Sequence, residues 1–323
     1  MRTSNPRVSI GLPVYNGEHY LGGAIASILA QTFEDFELII CDNASTDATE
    51  AICQRYAASD PRVRYYRQPQ NIGATANFNR TFELAHGGYF KWAAHDDLLE
   101  PAYLERCVAV LDRTPDAVLC QSLVKIINDQ GDCLEEYDHT EFGTDSPKPS
   151  VRFAARLRPH DCQEVFGVIR SDVLRRTKLI GYHLGGDRTL LIELALMGRF
   201  ALVPELLFLN REHPRRFKRQ HRYPSSELAW YTPEKARRGK LAGWRMLRTW
   251  ILYGKSLRSV QRRVESLPER LRCYRNLLLS LRFRERTQYL LLEPLLLIDP
   301  RLVALVKGFK RSMLRQDRSR VPG

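Results

Sequence analysis

Short apolar runs recur along the first two thirds of this chain and are separated by stretches with a helical period, which restricts the fold more than any other feature. Val8 to Leu12 (VSIGL), Glu37 to Cys41 (ELIIC), Val63 to Tyr66 (VRYY), Tyr89 to Ala93 (YFKWA) and Ala117 to Gln121 (AVLCQ) are rich in β-branched and aromatic residues. Runs of this length and composition read as buried strands. Between them the apolar residues are spaced for helices, as in Tyr20, Ile25, Ile28 and Leu29, then Ile52 and Tyr56, then Phe78, Phe82 and Leu84. Strand alternating with helix predicts an α/β layer built on a parallel sheet.

The helix starts are chemically marked. Ser45 or Thr46 before Asp47 and Glu50 suits an N-cap, and Pro101 suits a first turn. Each helix then begins just past the carboxyl end of a strand, the edge of an open α/β sheet where ligands bind. Chemistry is therefore sought at Pro13 to Glu18, Asp42 to Asp47 and His95 to Glu100. Further on, Phe142 to Ser150 reads as a mobile turn-rich loop, Val165 to Ile169 as a strand and Asp187 to Met197 as a helix. Two last strands, Phe200 to Val203 and Leu206 to Leu209, close the layer near His213.

Charge divides the chain at the same place. Residues 211–323 hold 29 Lys and Arg against 9 Asp and Glu, a surplus of 20, whereas residues 1–210 hold 21 against 28. A basic part joined to an acidic one points to an anionic partner: phospholipid head groups, polyprenyl phosphate or nucleic acid. From Lys240 to Val264, Trp244, Leu247, Trp250 and Ile251 are interleaved with Arg245, Arg248, Lys255 and Arg258, the composition of an interfacial helix. A helical cap on the preceding layer is the alternative. The most apolar stretch, Leu290 to Val306, is broken by Glu293, Pro294, Asp299, Pro300 and Arg301, so it is expected to lie on a membrane and not to cross one. The start, MRTSNPRVSI, lacks the apolar stretch of a secretory signal, which gives an expected cytoplasmic location, peripheral on the inner face of the cell membrane. Seven cysteines without CxxC or His-rich spacing indicate neither zinc nor a disulfide framework.

Three segments carry the candidate chemistry. In AAHDD, Asp96 and Asp97 follow an apolar strand, where carboxylates can hold a hard divalent cation such as Mg²⁺ or Mn²⁺ together with substrate phosphates. A capping turn is the plainer reading of that dipeptide. In VSIGLPVYNGEHYL, Tyr15 is placed to line a nucleobase slot, or else to end a strand half-buried. In ELIICDNASTDAT, Asp42 can accept hydrogen bonds from a base N–H or a ribose hydroxyl, although the Asn43 to Asp47 cluster also suits helix capping.

In this order and spacing the segments resemble the inverting family 2 glycosyltransferases of the GT-A fold, over roughly Arg7 to His213 and most specifically from Val8 through Leu98, including NIGATANFNRTFELAHGGYFKWAAHDD. The resemblance implies a catalytic domain over residues 1–215 and a basic helical region over 216–323. It implies nucleotide-sugar contacts by Pro13, Tyr15, Asp42, Asn71, Gly73, Asn77, Asp96 and Arg211, with His95 standing at the family's first acidic position. Metal ligation then falls to Asp97, with His213 as a further ligand, and the catalytic base to Asp187, where Gly186 replaces the family's usual Glu. The implied partners are a nucleotide-diphospho-sugar donor and a glycan or polyprenyl-linked acceptor, in the synthesis of a cell-envelope polysaccharide or glycolipid. Two rivals remain: a nucleotide-sugar-binding protein without turnover, and a nucleic-acid-binding protein acting through the basic tail, for which no RNP or zinc-finger signature is present. Dehydrogenase and nucleotidyltransferase readings fail because Pro13 stands where a GxGxxG or P-loop needs glycine.

Overall fold

The computed structural model describes residues 5–137, 143–216, 231, 247–285, 290 and 293–294. Trp244, Arg245, most of the basic segment before Leu247, and nearly all of the apolar stretch after Leu290 lie outside the described residues.

A nine-stranded sheet runs in the order β3-β2-β1-β4-β8-β6-β9-β5, with β7 added on β6. Its strands are β1 (Val8–Val14), β2 (Phe36–Asp42), β3 (Val63–Arg67), β4 (Tyr89–Trp92), β5 (Leu98–Leu99), β6 (Ala117–Ile127), β7 (Cys133–Tyr137), β8 (Val168–Arg170) and β9 (Arg199–Arg211). The first four are parallel, as alternation with helices predicts, and so are β6 and β9. Strand β8 enters antiparallel between β4 and β6, so the sheet is mixed, although β6 and β9 still point the same way as β1 to β4. The two short strands expected after residue 199 are one continuous β9 whose pairing with β6 shifts register midway.

Helices α1 (Leu21–Leu29), α2 (Thr49–Ser59) and α4 (Tyr103–Arg113) cover one face of the sheet through a core that includes Ile10, Leu12, Ile25, Cys53, Leu104 and Val108. Helices α3 (Ala74–Glu83), α6 (Ser171–Arg175) and α7 (Gly186–Met197) cover the other, around Phe82, Phe90, Trp92, Ile169 and Leu191. Phe90 and Trp92 meet edge to face at 5.0 Å, and the Trp92 indole N–H donates to the Phe78 carbonyl. Both of the large apolar side chains of β4 are thereby locked, and the loop that follows starts from a fixed point.

Two local expectations shift. The N-cap position of α2 is Ala48, the preceding Asp47 carboxylate accepts from the Thr49 N–H, and Ser45 is engaged by the β1 loop. The run from Val165 is split: Gln163–Phe166 forms a 3-10 turn, and only Val168–Arg170 pairs as strand.

The remaining helices, α5 (Pro149–Leu157), α8 (Arg248–Arg263) and α9 (Leu267–Leu279), join α7 in a separate cluster of Phe153, Leu157, Ile192, Leu196, Leu252, Val260, Cys273 and Leu277. The described part of the basic region therefore shares a core with the α/β layer. In the expected interfacial segment Leu252 is buried in this packing and Leu247 is also buried, while Trp250 and Leu257 are exposed. Among the described residues no helix is long and apolar enough to cross a membrane.

Candidate active site

The loops after β1 and β2 are laced to each other. The Asn16 N–H donates to Ser45 Oγ, the Thr46 N–H to Asn16 Oδ1, the Gly17 N–H to Thr49 Oγ1 and the Ala48 N–H to Glu18 Oε2. The turn that permits this puts Asn16 at φ 52° and Ala44 at φ 61°. Asparagine tolerates the left-handed region, but alanine is strained there by about 1–2 kcal/mol. Ala44→Gly is expected to raise stability by about 1 kcal/mol, measured as a rise in the urea midpoint at unchanged m.

This lacing fixes where the expected nucleoside contacts point. Pro13 is buried in β1 opposite Cys41, and Tyr15, just beyond the strand, is 43% exposed. Asp42 is turned inward: fully buried, it accepts from the Ser45 N–H at 2.8 Å and the Tyr65 hydroxyl at 2.8 Å, with Arg67 Nε 3.5 Å away. Its carboxylate is engaged by these partners at the β2–β3 corner. The neighbouring Asn43 reaches the loop before α3, donating to Asn71 Oδ1 and accepting from the Ile72 N–H. Gly73, at φ 85°, begins α3, and Asn77 on that helix donates to the Cys41 carbonyl between the ends of β1 and β2. Pro13, Tyr15, Asn71, Gly73 and Asn77 thus gather at one edge of the sheet, with Asn77 Oδ1 buried and unpartnered.

The two carboxylates after β4 diverge. Asp97 points into the protein, where its oxygens accept from Asn210 Nδ2 at 3.0 and 3.2 Å and from the Arg211 N–H at 2.9 Å. Burial, then the adjacent Asp96 carboxylate, raises its pKa to about 7. Asp96 points outward, its side chain 16% exposed, and its Oδ2 lies 2.9 Å from His213 Nε2. Burial acts to raise the Asp96 pKa, but His95 and His213 outweigh it and hold the group below the usual carboxylate range. Of the two carboxylates, Asp96 is the one that reaches solvent. With its oxygens engaged on β9, Asp97 has fewer lone pairs open to the expected metal than Asp96 has. Asp97→Ala leaves the buried Asn210 amide and Arg211 N–H unsatisfied, at an expected cost of about 2–3 kcal/mol. Thermal unfolding should show Tm falling by roughly 5 °C for this variant.

His213, itself buried, is packed against the Tyr20 ring at 4.4 Å between centroids, and its Nδ1 has no partner. The Tyr20 hydroxyl donates to Asp129 Oδ1, which ties α1 to the β6–β7 turn beneath the site. Arg211 is among the residues expected to contact the nucleotide sugar. Instead its guanidinium donates to the carbonyls of Asp96, Asn128 and Asp129 and fixes the loop carrying Asp96. Behind Asp97, Gln163 Nε2 and Arg216 Nη2 both donate to Asn210 Oδ1. Lys91 lies fully buried with its Nζ bonded to the Phe166 carbonyl and 4.5 Å over the Tyr103 ring, and burial pushes its pKa down to about 7. Lysine in the strand YFKWA was visible as an anomaly in the sequence. Tyr20, Gln163 and Asn210 carried no such signal.

Asp187 opens α7, and only Gly198 separates the end of that helix from β9. A helix joined so tightly to the next strand runs antiparallel to it, so Asp187 lies toward the carboxyl end of the parallel strands, level with the middle of the longer β9. The preceding loop is coiled closely: a Cβ on Gly186 would lie 2.3 Å from the Gly181 carbonyl oxygen. That contact explains why a glycine stands beside Asp187 where the resemblance implies a second acid.

A donor-side edge built on β1, β2 and β4, an outward carboxylate after β4 and a second acid opening a late helix define a GT-A type glycosyltransferase fold. Solved structures agree on the architecture. TarS of S. aureus in complex with UDP-GlcNAc superposes with TM-score 0.54 at 16% identity, covering 84% of this chain and 79% of that one. The mannosyltransferase PcManGT of Pyrobaculum calidifontis, in complex with GDP-Man and Mn²⁺, gives 0.52 at 20% identity, covering 95% and 88%. In sequence, the putative glycosyltransferase EpsE of Bacillus subtilis is 39% identical over 111 residues, 34% of this chain, and the match spans 40% of EpsE's own length. Residues 9–178, more than half of the chain, match the family described as glycosyl transferase family 2. The chain belongs to that family.

Proposed function

We propose that the chain moves a sugar from a nucleotide-diphospho-sugar to an acceptor hydroxyl with inversion at the anomeric carbon, aided by Mg²⁺ or Mn²⁺. The observation that carries this reading is the outward Asp96 carboxylate, 2.9 Å from His213 Nε2, at the same sheet edge as Asp187. One carboxylate and one imidazole suit a hard cation that takes few protein ligands and completes its shell with water and phosphate oxygens. Among the described residues no group of three or more acidic, His or Cys side chains forms a closed metal cage. Held there by Asp96 and His213, the cation would neutralise charge developing on the leaving diphosphate. The complex of PcManGT with GDP-Man and Mn²⁺ supports the same pairing of donor and metal.

The protein's own groups account for the rest. Tyr15 offers an exposed ring to the nucleobase, and Asn71, Gly73 and Asn77 shape the adjoining loop. Asp187 takes the proton of the acceptor hydroxyl as its oxygen attacks the anomeric carbon from the side opposite the diphosphate. The bond to the diphosphate breaks, nucleoside diphosphate leaves and the anomeric configuration inverts. Asp97, Asn210 and Arg211 keep the Asp96 loop in place without touching substrate.

We assign the catalytic role to residues 1–215 and attachment to the basic remainder. The acceptor in this reading is a glycan or a polyprenyl-linked glycan of the cell envelope, met at an anionic membrane surface on the cytoplasmic side. Incubation with UDP-, GDP- and dTDP-sugars with and without Mn²⁺ tests the activity. Release of one nucleoside diphosphate that stops on chelation is expected, with a product of inverted configuration by NMR. No release and no thermal stabilisation by any of these donors would overturn it.

A further inference from the structure

Helix α9 is held to the protein by one side only. Cys273, Leu277 and Ser280 are buried, Asn276 Nδ2 donates to the Ser150 carbonyl, and Glu269 Oε2 accepts from the Ser150 N–H. These contacts dock the helix on α5. Its outer side carries leucines: Leu267, Leu271, Leu278 and Leu279 are 61%, 58%, 67% and 44% exposed. At about 100° of rotation per residue, Leu267, Leu271 and Leu278 fall within an arc of roughly 40°, and Arg275, Leu279 and Arg272 follow at one flank. Arg272 and Arg275 are exposed as well. Single exposed leucines are ordinary on a protein surface, but a contiguous leucine stripe beside arginines is not.

We infer that this face of α9 is the surface by which the protein lies on an anionic lipid bilayer. This rests on the reading of the basic region as a membrane attachment, and it adds α9 to the residues the sequence pointed to. In the expected interfacial segment Leu247 is buried while Trp250 and Leu257 are 46% and 41% exposed, and the leucines of α9 extend that outward apolar surface. Charge complementarity selects the occupant. Residues 211–323 carry a surplus of 20 positive charges, and α8, which packs beside α9, has no acidic residue in its sixteen. A helix of this kind buries its leucines at the boundary of head groups and acyl chains while arginines beside them reach the phosphates. A neutral protein surface would gain nothing from that flank, and an acidic nucleic acid would gain nothing from the leucines.

The test uses the full chain and flotation with two vesicle types, phosphatidylcholine alone and phosphatidylcholine with roughly 30% phosphatidylglycerol. The wild type is expected to float with the anionic vesicles about tenfold more than with the neutral ones. The double variants Leu271→Glu/Leu278→Glu and Arg272→Gln/Arg275→Gln should each lose about tenfold in binding at unchanged Tm, with donor turnover in free solution unaffected. Equal binding by wild type and both variants would leave membrane attachment standing and overturn the role of α9. Failure of the wild type to bind either vesicle would overturn both together. Two other occupants have their own signatures, and either one refutes the lipid assignment. A lipid-free dimer that Leu271→Glu/Leu278→Glu converts to monomer means a second copy covers the face, and a Tm several degrees lower in that variant means the chain's own residues cover it.

Discussion

Asp96→Ala is expected to lower sugar transfer by about 10²–10³-fold, the scale of losing one preorganised electrostatic contact to a leaving group. The variant also takes the partner of the buried His213 Nε2, so a modest fall in Tm is expected alongside the loss of activity. Calorimetric titration of nucleoside diphosphate in Mn²⁺ should show the loss as weakened, metal-insensitive binding. Asp97→Ala behaves in the opposite way, losing stability first and activity only as a consequence. A pair of adjacent aspartates is thereby separated by two different readouts. If Asp96→Ala kept metal-dependent binding while Asp97→Ala lost it at unchanged Tm, the assignment made from side-chain direction would be wrong.

Asp187→Asn has the second large effect. Removing the base while keeping the size and shape of the side chain should reduce kcat by about 10²–10⁴-fold. Donor affinity should stay within a few-fold, since the proposed role of Asp187 is on the acceptor side. A split of this kind, kcat lost and donor binding kept, is what an acceptor-side base produces. The other function of Asp187 is local: its Oδ1 accepts from the Arg188 N–H at the start of α7. Asparagine retains that acceptor, so the expected change in stability is small. A variant that lost donor binding along with turnover would point to a structural role instead.

The fold was legible in the sequence wherever local pattern decides it. Strands β1 to β4 and the start of β6 match the apolar runs to within a residue or two, because each is buried and bounded by turn residues. The antiparallel entry of β8 was not legible, since its three residues follow a turn whose Glu164 is buried against Arg156. In the site, the segments that gather at the sheet edge were identified, but side-chain direction was not. Asp42 and Asp97 look like ligand contacts in the sequence, yet each is turned inward by partners elsewhere in the chain, Tyr65 and Arg67 for Asp42, Asn210 and Arg211 for Asp97. Both partner sets lie on other strands, more than twenty residues away in the first case and more than a hundred in the second. Local spacing cannot report such contacts. Gly186 is the converse case, a departure from the family's pattern whose cause is a close approach to Gly181 that only the folded loop reveals.

A crystal soaked with Mn²⁺ and the nucleoside diphosphate that stabilises the protein most would test the central assignment directly. The expected result is an anomalous manganese peak beside Asp96 and His213, with the nucleobase against Tyr15 and Asp97 still bonded to Asn210. Manganese on Asp97, or bound away from the edge where β1, β2 and β4 end, would contradict it.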